Sequence, residues 1–161
     1  MPRTKRNAPL LCGMAVFIAV VSAKAQEQPL PRIDDITATF GNEAEAGTVF
    51  LKVLTHLFQQ GNRKEFLLRD QIRPEWLPKS DRVQFVLTTE ADATKVSECN
   101  LYWRVAKVER SGNVITIRFN QRCGGTTKDY RVERNGQEWQ FALAGIGSGF
   151  VGRPEGCPCV P

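Results

Sequence analysis

The sequence is poor in the side chains that most often do chemistry. Its 161 residues hold one histidine, two tyrosines and two methionines. With His56 alone, a histidine-rich metal centre is excluded, and a catalytic base would need a nucleophile and an orienting group that no motif here positions. His56 is therefore read as a surface or boundary histidine. Carboxylates paired for acid/base work are missing too, since the adjacent Asp34 and Asp35 fall in a proline-containing lead-in. There is no internal repeat and no low-complexity tract. Beyond residue 25, no apolar run approaches the roughly 20 residues that cross a bilayer as a helix.

What is present at the N-terminus reads as an export signal. Met1-Pro-Arg-Thr-Lys-Arg6 is basic, an apolar run extends from Leu10 to Val21, and Ala23-Lys24-Ala25 has the small-x-small form of a cleavage site. Cleavage after Ala25 is expected, leaving a periplasmic or secreted protein. Cys12 precedes most of the apolar run, unlike a lipoprotein cysteine, and should leave with the peptide. The signal carries four of the 22 Lys/Arg and none of the 17 Asp/Glu, so the mature chain is nearly balanced, at 18 to 17. The basic pI therefore gives no support to nucleic-acid binding. The 136 remaining residues suit one domain. They carry four cysteines, an even set that fits an oxidising compartment.

Residues 26–41 read as an extended lead-in, with Ile36 to Phe40 as a conceivable edge strand. Residues 42–144 read as a single α+β domain, and 145–161 as a Gly/Pro/Cys tail. The clearest helix is Glu43 to Gln60, capped by Asn42 with Glu45 reaching back and closed by Gly61. Ala46, Val49, Phe50, Val53, Leu54, Leu57 and Phe58 give it one apolar face. Residues 63–72 fit either a helix or a strand. The segment from Pro74 to Pro78 predicts a tight turn that tucks in Trp76 and Leu77. A strand follows from Arg82 to Thr89 with Val83, Phe85 and Leu87 inward, then a helical turn over 92–98.

A central hairpin is expected from Cys99 to Cys123, with Arg110-Ser111-Gly112 as its loop. That register opposes Trp103 to Phe119, Val105 to Ile117 and Cys99 to Cys123, which predicts a disulfide between the two cysteines. A final hairpin turns at Asn135-Gly136, opposing Val132 to Trp139 and Tyr130 to Phe141. The whole predicts an N-terminal helix packed on an antiparallel meander of about five strands. That order is similar to cystatin-like and NTF2-like domains in architecture alone, with no motif matched residue by residue.

Four features of the sequence invite reading as sites. On the sheet face away from the core, the predicted register sets Arg104 across from Arg118 and Asn100 across from Arg122, with Tyr102 and Asn120 between. Tyr102, Arg104, Arg118 and Arg122 are thus candidates for an anionic ligand, while Asp129 and Glu133 on a neighbouring strand could neutralise them instead. In the tail, Cys157-Pro158-Cys159 offers two thiols for a thiophilic metal or disulfide exchange, but without the three or four ligands of a closed site. The run Gly147-Ser-Gly149-Phe-Val-Gly152 matches a dinucleotide fingerprint in letters, yet Arg153-Pro154 follows where a helix should open. Ser148 lacks the flanking glycines of a nucleophile elbow, having Ile146 and Phe150 there. No cofactor is implied. The expectation is an exported domain that binds a partner or ligand, or serves the envelope structurally, without catalysis. The alternatives are a small-molecule pocket protein or enzyme, with its site between helix and sheet, and a thiol or metal role for the tail.

Overall fold

The computed structural model describes residues 29–61, 63–96 and 101–148. It is α+β, with helices on a six-stranded mixed sheet of order β2-β1-β3-β4-β5-β6. Helices α1 (Ile33–Phe40) and α2 (Glu43–Leu57) cover one face, and the short α3 (Glu90–Val96) lies against the other. The strands are β1 (Lys64–Leu68), β2 (Gln84–Thr88), β3 (Tyr102–Ser111), β4 (Val114–Arg122), β5 (Thr126–Asn135) and β6 (Glu138–Ser148).

The lead-in is not extended: α1 occupies it. Asp34 and Asp35 sit in its first turn, where acids are favoured by the helix dipole, and Asp35 accepts from the Arg32 amide at 2.9 Å. Ile36 and Phe40 fall one turn apart on its buried side, and Gly41 at φ 95 closes it in the left-handed conformation. In α2 the Asn42 cap forms as expected, accepting from the Glu45 amide at 2.9 Å. The Glu45 carboxylate does not reach back to the cap. It is drawn instead to the Trp139 indole N–H and to Arg134 on the final hairpin. The helix also ends earlier than predicted, with Phe58 as its C-cap residue.

Phe50 is the centre of the core. It is fully buried and meets Phe40, Trp76 and Phe119 at ring separations of 6.1, 5.2 and 6.0 Å. The turn of 3-10 helix at Pro74–Trp76 brings Trp76 against α2 at Gly47. A Cβ at residue 47 would stand 2.9 Å from both Cδ1 and Nε1 of Trp76. Glycine in a helix interior ordinarily costs about 1 kcal/mol relative to alanine. Gly47→Ala should nevertheless destabilise, by about 1 to 3 kcal/mol, because Trp76 must move out of a packed site. A chemical-denaturation midpoint at or above the wild-type value would refute that.

The sheet departs from an antiparallel meander at its first two strands. Residues 63–72 resolve into β1, and β2 returns parallel to it, with Phe66 beside Val86. A parallel return needs a crossover, and the 3-10 turn segment supplies one. The central and final hairpins also differ in register from expectation. The β3–β4 loop is Gly112-Asn113, with Ser111 opposite Val114, and the β5–β6 loop is Gly136-Gln137, with Asn135 opposite Glu138. In each, the glycine takes the first loop position, at φ 60 and φ 63, where a II′-type turn uses glycine.

Trp103 therefore faces Gln121, Val105 faces Phe119, Val132 faces Phe141 and Tyr130 faces Leu143. A bulge between Val105 and Lys107 returns β3 to phase, so Val108 and Val105 both pack toward the helices. Cys99 lies outside the described residues, and the bridge to Cys123 stands as a proposal. Finally, β6 continues through residues 145–148, which were expected to begin the tail.

Candidate functional site

On the α3 face, Tyr102 is buried with Leu68 and Ala93 and donates its hydroxyl to Glu90 at 2.7 Å. Burial first, then the Glu90 hydrogen bond, raises the Tyr102 phenol well above its ordinary value. Arg104 and Arg122 lie close enough to oppose that shift, so the structure gathers these two arginines around Tyr102. Arg104 stands opposite Asn120, not Arg118, because of the register change. Arg118 is separate from this group. It stands directly opposite Asp129 and holds it through two parallel bonds of 2.7 and 2.8 Å. The hydrogen bonds from Arg118 hold the Asp129 carboxyl below its usual range, against the opposing effect of burial. Arg104 and Arg122 are engaged as well. On this face the fold itself neutralises Arg118, through Asp129.

His56 lies on the margin of α2, half-buried, and shares a 3.0 Å hydrogen bond between its Nδ1 and the Tyr130 hydroxyl. Its ring packs edge-on against Tyr130 and Phe141 at 5.6 and 5.7 Å. A neighbouring phenol and phenyl orient the imidazole without supplying a carboxylate. Burial pushes the Tyr130 phenol up to about 12 from its ordinary 10.0. Because the folded protein disfavours the phenolate, this contribution to stability is complete below pH 10 and is lost as the pH rises through 12. Alkaline titration should show phenolate absorbance of Tyr130 appearing together with loss of far-ultraviolet circular dichroism. Full ionisation in a protein still folded would contradict this.

A third location was not marked in the sequence. Where α2 ends above β1, β3, β4 and β5, an open cleft of about 400 Å³ is lined by Phe58, Arg63, Glu65, Trp103, Gln121 and Lys128, among others. Phe58 and Trp103 stand edge to face at 5.9 Å and form its apolar part. Glu65 is buried at 6 % exposure, with one oxygen taking the Trp103 indole N–H at 3.1 Å and the other the Arg63 guanidinium at 2.7 Å. Both oxygens are thereby engaged, so Glu65 serves as an anchor for Trp103 and Arg63 rather than as an unengaged acid. Lys128 makes no ion pair among the described residues. The sequence signal for this cleft is a lone acid, Glu65, just before the apolar run Phe66-Leu67-Leu68.

Among the described residues no three His, Cys, Asp or Glu side chains gather as a metal-ligand group. Cys157 and Cys159 lie outside the described residues, as does most of the fingerprint-like glycine run. Gly147 and Ser148 from that run are in β6, in extended backbone rather than in a phosphate-cradling loop. No described helix is long and apolar enough to cross a membrane. No protein-family model matches the chain, and no match to it was found among curated proteins or among solved structures.

Proposed function

We propose that this is an exported binding domain without chemistry of its own, and that the cleft at the end of α2 is where it takes its ligand. The observation that carries the reading is the pairing of an aromatic wall, Phe58 and Trp103, with a cation on the rim, Lys128, beside Arg63 held by Glu65, in one open recess. Such a recess suits a ligand with a flat apolar body and an anionic end. The apolar part gains from burial on the rings, and the rim contributes direction and orientation. The other candidate groups support a non-catalytic reading because each is engaged within the fold: His56 by Tyr130, Arg118 by Asp129, Tyr102 by Glu90. Export rests on the N-terminal signal, with cleavage after Ala25, and the intact mass of secreted material tests it.

Trp103 lines the cleft, which makes its emission the readout. Aromatic carboxylates should quench it saturably, the corresponding amides should bind more weakly, and Lys128→Ala should weaken carboxylate binding by about tenfold. Equal response to acid and amide, or no effect of Lys128→Ala, would reject the cationic rim as the recognition element.

A further inference from the structure

Among the described residues strand β6 ends the sheet, and it is an unusual strand to leave there. It is the longest of the six at 11 residues, and its segment Phe-Ala-Leu-Ala-Gly-Ile-Gly-Ser, residues 141–148, holds no charge and no proline. Exposed edges are ordinarily guarded by shortness, lysine or proline, because their free backbone groups recruit another strand. The opposite edge obeys that rule: β2 is five residues long and is led in by Lys79, Asp81 and Arg82. On β6, by contrast, Leu143 is 36 % exposed and Ile146 is 66 % exposed.

We infer that the β6 edge is a self-association surface, on which a second copy of this chain pairs antiparallel across a two-fold axis. The commitment to a second copy comes from the segment's complementarity to itself. When Leu143 is laid opposite Ile146 of the second copy, Ala144 meets Gly145, Ala142 meets Gly147 and Phe141 meets Ser148. Large residues then stand beside large, small beside small, and no like charges are opposed. Faces agree as well. The bulge between Leu143 and Gly145, opposite Tyr130 and Asp129, shifts the alternation by one residue. Leu143, facing Tyr130, and Ile146, facing Lys128, therefore project on the same side. Without that bulge the same pairing would oppose residues of different faces. The two copies would form one continuous sheet, with the four Leu143 and Ile146 side chains covering each other on the helix side.

The test uses sedimentation velocity on the exported protein over a concentration series up to about 1 mM. A dimer is expected, and Ile146→Lys should raise its dissociation constant at least about 100-fold, since two lysines would enter an apolar contact. Leu51→Lys, at an exposed position on α2, should leave it unchanged. Unaltered circular dichroism and melting of Ile146→Lys show that folding is intact. Register is tested by mixing a Leu143→Cys chain with an Ile146→Cys chain under mild oxidation. A disulfide between the two variants, identified by peptide mapping, is the expected product. A monomer at every concentration, a dimer indifferent to Ile146→Lys, or no cross-link between the mixed variants would each overturn the proposal.

Discussion

Trp103→Ala should lower the stability of the domain by about 3 to 5 kcal/mol, the range for removing a buried aromatic side chain. Trp103 is 6 % exposed, with its ring against Phe58 and its indole N–H on Glu65 at 3.1 Å. Two effects act together. The cavity forfeits the packing, and Glu65, itself buried, loses one of its two donors while keeping Arg63. Trp103→Phe separates them, because it keeps a ring on β3 but withdraws the donor. It should cost about 1 to 3 kcal/mol. Urea denaturation followed by circular dichroism measures both, and an unchanged slope with a lowered midpoint identifies a loss of stability rather than a change in the unfolded chain. An unchanged melting temperature in Trp103→Ala would mean that Trp103 does not lie between the helix and the sheet.

Gln71→Leu should cost a similar amount, about 3 to 5 kcal/mol, with little change in side-chain volume. The reason is an interruption in the sheet. Strand β1 is registered with β3 only at Leu67 beside Trp103, and further along β3 the amide and carbonyl of Val105 find no strand there. The Gln71 side chain takes the place of one. Its Oε1 accepts from the Val105 amide at 2.8 Å, and its Nε2 donates to the Val105 carbonyl at 2.9 Å. The same Nε2 donates to the Pro31 carbonyl at 2.8 Å, which ties the approach to α1 into the sheet. Gln71 is 1 % exposed, so leucine there would leave three backbone groups without partners, each costing about 1 to 3 kcal/mol when shut off from water. Gln71→Glu should not restore stability, because a carboxylate cannot donate to either carbonyl. Wild-type denaturation midpoints in both variants would show that the surrogate strand is dispensable.

These two residues mark how far the sequence could be read. Trp103 was legible as core because it lies in an alternating run with Val105, and that alternation survived a change in register. Gln71 was not legible: an isolated glutamine after Asp70 carries no periodic signal, and its burial follows from strands distant in the chain. Glu65 is the same case. In both, a polar residue is placed inside the protein by a partner that local pattern does not contain, Val105 for one and Trp103 for the other. The arginine face was half legible. Alternation put Tyr102, Arg104, Arg118 and Arg122 on one side, but only the β4–β5 register could bring Asp129 directly opposite Arg118.

The sequence by itself determined the main helix with its Asn42 cap, the apolar side of each long strand, and the glycines that turn the hairpins. These depend on interactions within a few residues and on periods of 3.6 and 2, which a chain carries wherever it is placed. Tertiary structure decided the rest: the conversion of the lead-in into α1, the parallel pairing of β1 with β2, the strand registers and the cleft above Trp103. In the β5–β6 hairpin, two pairings that differ by two residues present the same faces to the core, so burial alone does not discriminate between them. There, the choice falls to the position of a glycine in the turn. In β3 it falls to a bulge, and along the β1–β3 seam to a buried amide.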